Sequence, residues 1–151
     1  MDYSLQEGTL SLPQGFNDRT VNMFVLGSTM PAPLSITVAR DDLLPSEDLT
    51  AYVERQLKLL ASKMRGYTLL GKSAASLSAS APVPGIQIDA YYLVDGRPFY
   101  QRQAAFLIEP RRALIFSTTS QGDFSAEQTA GWLELLQSFV PRQPAASNEQ
   151  E

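Results

Sequence analysis

Side chains able to do covalent chemistry are scarce in this sequence. It has no cysteine and no histidine, which removes thiolate nucleophiles, disulfides, the usual zinc sites and Ser-His-Asp triads. Carboxylates come in two adjacent pairs, Asp41-Asp42 and Glu47-Asp48. Both stand beside the start of an expected helix, where acids cap the backbone and meet the positive end of its dipole. Asp89 and Glu109 are single acids on expected strands, and no histidine is there to complete a metal site. Arg102, Arg111 and Arg112 can bind an anion, although solvated surface explains them more simply. Neither a GxGxxG nor a Walker loop is present. The sequence therefore carries no visible catalytic apparatus, and no enzyme activity, metal or cofactor is expected.

What remains is amide chemistry. Gln101 and Gln103 interrupt the apolar stretch PFYQRQAAFLIEP, and Gln56 falls inside the apolar stripe of an expected helix. An amide both donates and accepts a hydrogen bond and brings no charge to desolvate. Three amides among apolar residues suit an apolar helix that exposes a few hydroxyls or carbonyls. The simpler readings are solvated mid-strand glutamines and, for Gln56, a bond to a nearby backbone carbonyl.

These residues need elements to position them. Tyr3–Leu5 and Thr9–Leu12 read as a short hairpin around Glu7-Gly8. Strands are expected at 20–26 (TVNMFVL) and 34–40 (LSITVAR), linked by GSTMPAP. Ser46 is expected to cap a helix that runs to about Met64 and stops at Gly66, with Glu47 and Asp48 in its first turn. Further strands are expected at 67–77, 86–94, 99–108 and 113–119, with a tight turn at Asp95-Gly96. Ser125 and Gln128 form a capping box for a second helix, whose apolar stripe is Trp132, Leu133, Leu136, Phe139 and Val140. Strands, helix, strands, helix with short links argue for an α+β domain: a twisted antiparallel sheet with two helices.

A sheet covered on one face should alternate apolar and polar residues, yet TVNMFVL does not. Pairing Met23 opposite Thr37 would put Phe24, Leu26, Ile36 and Val38 in the core. Val21, Met23, Val25, Thr37 and Ala39 would then share a second face that is small, apolar and uncharged. Two explanations stay open: each face is covered by one helix, or the second face is an open groove for a partner. The first helix bears on the choice, because Gln56 lies in one stripe with Leu49, Tyr52, Val53, Leu60 and Met64.

The 151 residues fit a single domain over 1–140, and the polar tail 141–151 is expected to be disordered. The net charge of −4, with no basic block, makes nucleic-acid binding unexpected. No apolar run approaches the roughly 18 residues of a membrane span, so stable membrane insertion is not expected. MDYSLQEGTL lacks a secretory pattern, which points to the cytoplasm.

The segments LPQGFNDRTVNMFV, SITVARDDL, EDLTAYVERQLKLLASKMRGYTLLGK and YQRQAAFLI together resemble the DcrB-like family, most closely its Eag chaperones of type VI secretion. The resemblance covers about Tyr3 to Val140. It implies a PsbP-like fold, a homodimer, and a cytoplasmic chaperone that shields the N-terminal transmembrane segments of a prePAAR-type effector before loading on the VgrG spike. By the same resemblance Gln56, Gln101 and Gln103 match polar groove positions, with Val21, Met23, Thr37, Ala39, Leu60 and Ile115 as candidate apolar walls. The alternatives are a small-molecule or lipid binder using the same concave face, or a PsbP-like subunit of a larger assembly.

Overall fold

The computed structural model describes residues 1–142. Of the tail expected to be disordered, 141–151, all but the first two residues lie outside that range. The described elements run β1 (Asp2–Ser4), β2 (Thr9–Ser11), β3 (Asn22–Val25), β4 (Leu34–Asp42), α1 (Leu49–Lys63), β5 (Thr68–Leu77), β6 (Val83–Val94), β7 (Arg97–Glu109), β8 (Arg112–Ser120) and α2 (Ala126–Ser138). β1 and β2 pair as a separate hairpin, and the other six strands form one sheet in the order β3-β4-β8-β7-β6-β5. Every neighbouring pair is antiparallel, so the expected α+β class and two-helix layout hold.

Local chemistry explains most boundaries. Asp95 and Gly96, with φ of 52° and 75°, both adopt the left-handed conformation that a tight two-residue hairpin turn requires. β6 begins three residues before its expected start and includes Pro84. That proline pairs with Ser76 of β5 but lies beyond the β6–β7 ladder, which starts at Gly85 opposite Phe106, so it has a strand on one side only, as prolines in sheets do. Gly85 itself admits no side chain: a Cβ would stand 2.3 Å from the Phe106 ring and 2.4 Å from the Ala105 carbonyl oxygen. The capping box of α2 is present, with Ser125 Oγ accepting from Gln128 N at 3.0 Å and Gln128 Oε1 from Ser125 N at 3.0 Å.

Three expectations are corrected. The cap of α1 is Asp48, whose Oδ1 accepts from Ala51 N at 2.8 Å. Ser46 sits two residues earlier in a left-handed turn (φ 69°). Glu47 precedes the helix and instead accepts from Leu44 N at 3.0 Å and Arg55 Nε at 2.8 Å. In α2 the buried stripe is Trp132 and Leu136, joined by Leu135 and Phe139, while Leu133 and Val140 are exposed. The helix ends at Ser138, before Val140 could complete its turn. Finally, Phe24 and Leu26, expected in the core, are each 59% exposed. Met23 does face Thr37, but β3 is the sheet edge. The α2 core reaches out only as far as Val38 of β4.

The two helices lie on opposite faces. α2 seats Trp132 and Leu136 on Leu77, Ala104, Phe106, Leu114 and Phe116. There the Phe116 ring meets Phe106 and Phe139 edge-on at 6.0 and 6.2 Å. α1 packs Tyr52 and Val53 against Leu43, Ile88, Ala105 and Ala113. Strand alternation puts Gln101 and Gln103 on the α1 face. α1 is a single 15-residue helix on a six-stranded sheet, and it covers only part of that face.

Candidate binding cleft

The uncovered part of the α1 face is a cleft of about 570 Å³. Its floor is set by strand register. Ser35 of β4 faces Thr119 of β8, which faces Gln101 of β7. The next row on this face is Thr37, Ser117 and Gln103. Adjacent strands lie about 4.8 Å apart and alternate residues about 6.8 Å apart, so six hydrogen-bonding, uncharged side chains form a compact grid. Beyond it comes an apolar row, Ala39, Ile115 and Ala105. At the other end Tyr92 and Phe99 stack at 6.2 Å between centroids.

The walls are apolar. Edge strand β3 and the loop after it contribute Met23, Val25 and Met30; α1 contributes Tyr52, Val53, Leu57 and Leu60, with Gln56 among them. The charged residues of the lining are Arg40 and Asp41. Arg40 Nη1 is engaged by Asn22 Oδ1 at 2.6 Å and Val38 O at 3.3 Å. Asp41 Oδ2 accepts from Tyr52 Oη at 2.8 Å and, at the longer 3.5 Å, from Gln56 Nε2. Burial, with the adjoining Asp41 carboxylate, pushes the Tyr52 phenol far above its ordinary pKa, so it remains a proton donor.

Of the nine residues singled out in the sequence, eight line this cleft: Met23, Thr37, Ala39, Gln56, Leu60, Gln101, Gln103 and Ile115. Val21 does not. It is 54% exposed and lies ahead of β3, whose pairing starts at Asn22 opposite Val38. Gln103 Nε2 donates to Ser117 Oγ at 3.1 Å, leaving its second N–H and its carbonyl for a bound molecule. Gln56 bonds the Asp41 side chain rather than a backbone carbonyl. Arg102 takes the opposite face, paired with Asp89 Oδ1 at 2.7 Å, donating to Thr129 Oγ1 at 3.1 Å, and held over the Phe124 ring at 4.6 Å.

Sequence reasoning missed Ser35, Ser117, Thr119, Tyr92, Phe99 and Met30, all of which line the cleft. The hydroxyls had a signal: Ser35 and Thr37, like Ser117 and Thr119, are spaced two apart, as one face of a strand requires. Pairing them with Gln101 and Gln103 required the strand order.

The family model described as DcrB matches residues 7–138 of the chain. A protein of Pseudomonas aeruginosa named Effector EagT6 is 29% identical over 143 residues, covering 93% of this chain and 95% of that protein. Among solved structures, PA94 of Pseudomonas aeruginosa, described as a protein of unknown function and putative regulator, gives a TM-score of 0.70 at 23% identity. That match covers 95% of this chain and 98% of the other, and it shows the shared fold, PsbP-like as the resemblance implied.

Proposed function

The chain belongs to the DcrB family, and on that premise we propose that it is a cytoplasmic, effector-associated chaperone of type VI secretion. Its client is an effector with N-terminal transmembrane segments and a PAAR domain. The chaperone holds those segments in the cleft, away from water, until the effector is loaded on the VgrG spike. Similarity to Effector EagT6 over nearly the whole of both chains supports the association with an effector. The observation that carries the choice of client is the floor grid: Ser35, Thr37, Ser117, Thr119, Gln101 and Gln103 within apolar walls.

Packing a client helix between Met23, Val25, Leu57 and Leu60 removes apolar surface from water at about 25 cal/mol per Å². A transmembrane segment also carries occasional Ser, Thr or exposed carbonyl groups, and these would lose hydrogen bonds against a purely apolar wall. Hydroxyls and amides replace those bonds without the cost of burying charge, as Gln and Ser/Thr do between helices inside a membrane, at about 0.6–2 kcal/mol each. Two copies of the chaperone supply the larger surface such segments need. The edge strand β3, with Met23, Phe24 and Val25 exposed on both its faces, is suited to joining them.

Co-expression with the transmembrane-bearing N-terminal fragment of a PAAR-domain effector from the same genome tests this reading. The fragment is expected to be soluble and to co-purify only with the chaperone. A fragment that is soluble alone, or that never co-purifies, contradicts it. A cleft of about 570 Å³ also falls within the range of small-molecule sites, which supports a lipid or small-ligand binder as the second reading. Native mass spectrometry separates the two, since a retained small ligand adds a discrete mass to the purified protein.

A further inference from the structure

At the α1 end of the cleft, β4 presents its last cleft-facing residue, Asp41. The ion pairs among the described residues are Arg55–Glu47, Lys72–Glu54 and Arg102–Asp89, and Asp41 takes part in none of them. Its neighbours are neutral donors: Asp42 N to Oδ1 at 2.9 Å, Tyr52 Oη to Oδ2 at 2.8 Å, and Gln56 Nε2 at 3.5 Å. The nearest cation on α1, Arg55, is committed to Glu47 through two bonds of 2.8 and 3.0 Å. Arg40, the other charged residue of the lining, is held by Asn22 and Val38. Asp41 is thus a half-buried carboxylate in no ion pair among the described residues, sensed by Arg55 only at longer range, at the α1 end of a groove whose other charged lining residue is Arg40.

We propose that Asp41 receives a lysine or arginine flanking the client's apolar helix, and so sets which way round that helix lies in the cleft. This rests on the chaperone reading. Membrane-spanning helices are commonly flanked by Lys and Arg, and a helix with its apolar length over the grid places such a flank beyond the apolar row, where Asp41 stands. Tyr52 and Gln56 fix the carboxylate in position, which lowers the ordering cost of pairing with it. With a cation at only one end, the helix has one favoured direction.

Three labelled synthetic peptides test this. They share one apolar 20-residue core containing two serines a helical turn apart, and carry two lysines at the N-terminal end, two at the C-terminal end, or none. Their binding to the full chain is read by fluorescence anisotropy in dilute detergent. The wild type is expected to bind both lysine peptides, lying in opposite directions, about fivefold to tenfold more tightly than the neutral one, less so at high salt. Asp41→Asn removes the charge and keeps one carbonyl oxygen to accept from Tyr52 and Gln56, while Asp42 N loses its side-chain acceptor. It is expected to abolish that preference, bringing the lysine peptides to within about twofold of the neutral one. A wild type that does not discriminate overturns the proposal, as does an Asp41→Asn variant that weakens all three peptides equally. Binding of the neutral peptide in those cases leaves the chaperone reading standing, whereas no binding of any peptide overturns both.

Discussion

Replacing Gln103 with alanine should separate binding from folding. The wild-type amide donates to Ser117 Oγ at 3.1 Å, and both residues line the cleft. Losing one neutral hydrogen bond costs a net 0.5–1.5 kcal/mol, about 1 kcal/mol here, since the cleft lets water reach the freed hydroxyl. For a chain of 151 residues that is a fall in Tm of about 2–4 °C. If the amide also serves a client helix, the complex loses a further 0.6–2 kcal/mol, or about 3-fold to 30-fold in affinity. Differential scanning fluorimetry gives the first quantity, and anisotropy of a labelled transmembrane peptide gives the second. Gln103→Leu, nearly equal in volume, should bind a serine-free apolar peptide at least as well as the wild type and lose only the serine-bearing one. Leu136→Ala supplies the contrast. It empties a fully buried site under α2 at about 2–5 kcal/mol, and should lower Tm strongly while leaving affinity per folded molecule unchanged. A Gln103→Ala fall in Tm beyond about 8 °C, or undiminished affinity for the serine-bearing peptide, would refute the assignment.

Two further outcomes concern the scaffold. Gly85→Ala forces a Cβ into the Phe106 ring and the Ala105 carbonyl, and should destabilise by about 1–3 kcal/mol, measured by urea unfolding. Glu47 is held below the ordinary glutamate pKa, first by its bond to Arg55 and next by Leu44 N. A depressed folded pKa means its stabilisation is present above the unfolded value and is lost as pH falls through the folded one. The Tm difference between wild type and Glu47→Gln should therefore be largest near neutrality and shrink on acidification. A difference that grows toward low pH would contradict the sign.

Much of the layout was legible because it depends on local chemistry. The Asp95-Gly96 turn and the Ser125 capping box follow from turn residues and caps, and the pairing of Met23 with Thr37, supposed from the face pattern, is the one the strands adopt. What was illegible depends on layering. Phe24 and Leu26 look like core residues until β3 is placed at the sheet edge, beyond the reach of α2. Val21 fits the face pattern, but the chain has not yet joined the ladder there. Gln56 and the β7 glutamines come from distant segments, and only α1 crossing this face of the sheet brings them to one cleft. The hydroxyls of Ser35, Ser117 and Thr119 passed as ordinary strand residues. Their role as a grid with Gln101 and Gln103 appears only from the order β4-β8-β7.

Site-specific photo-crosslinking shows whether the client's apolar helices lie in the cleft. A benzophenone side chain introduced at Thr119, on the cleft floor, or at Leu133, on the exposed flank of α2, is irradiated with the effector fragment co-expressed. An adduct from Thr119 that maps by mass spectrometry to the apolar helices of the fragment is expected, and none from Leu133. Adducts from Leu133 alone, or equally from both positions, would contradict that placement.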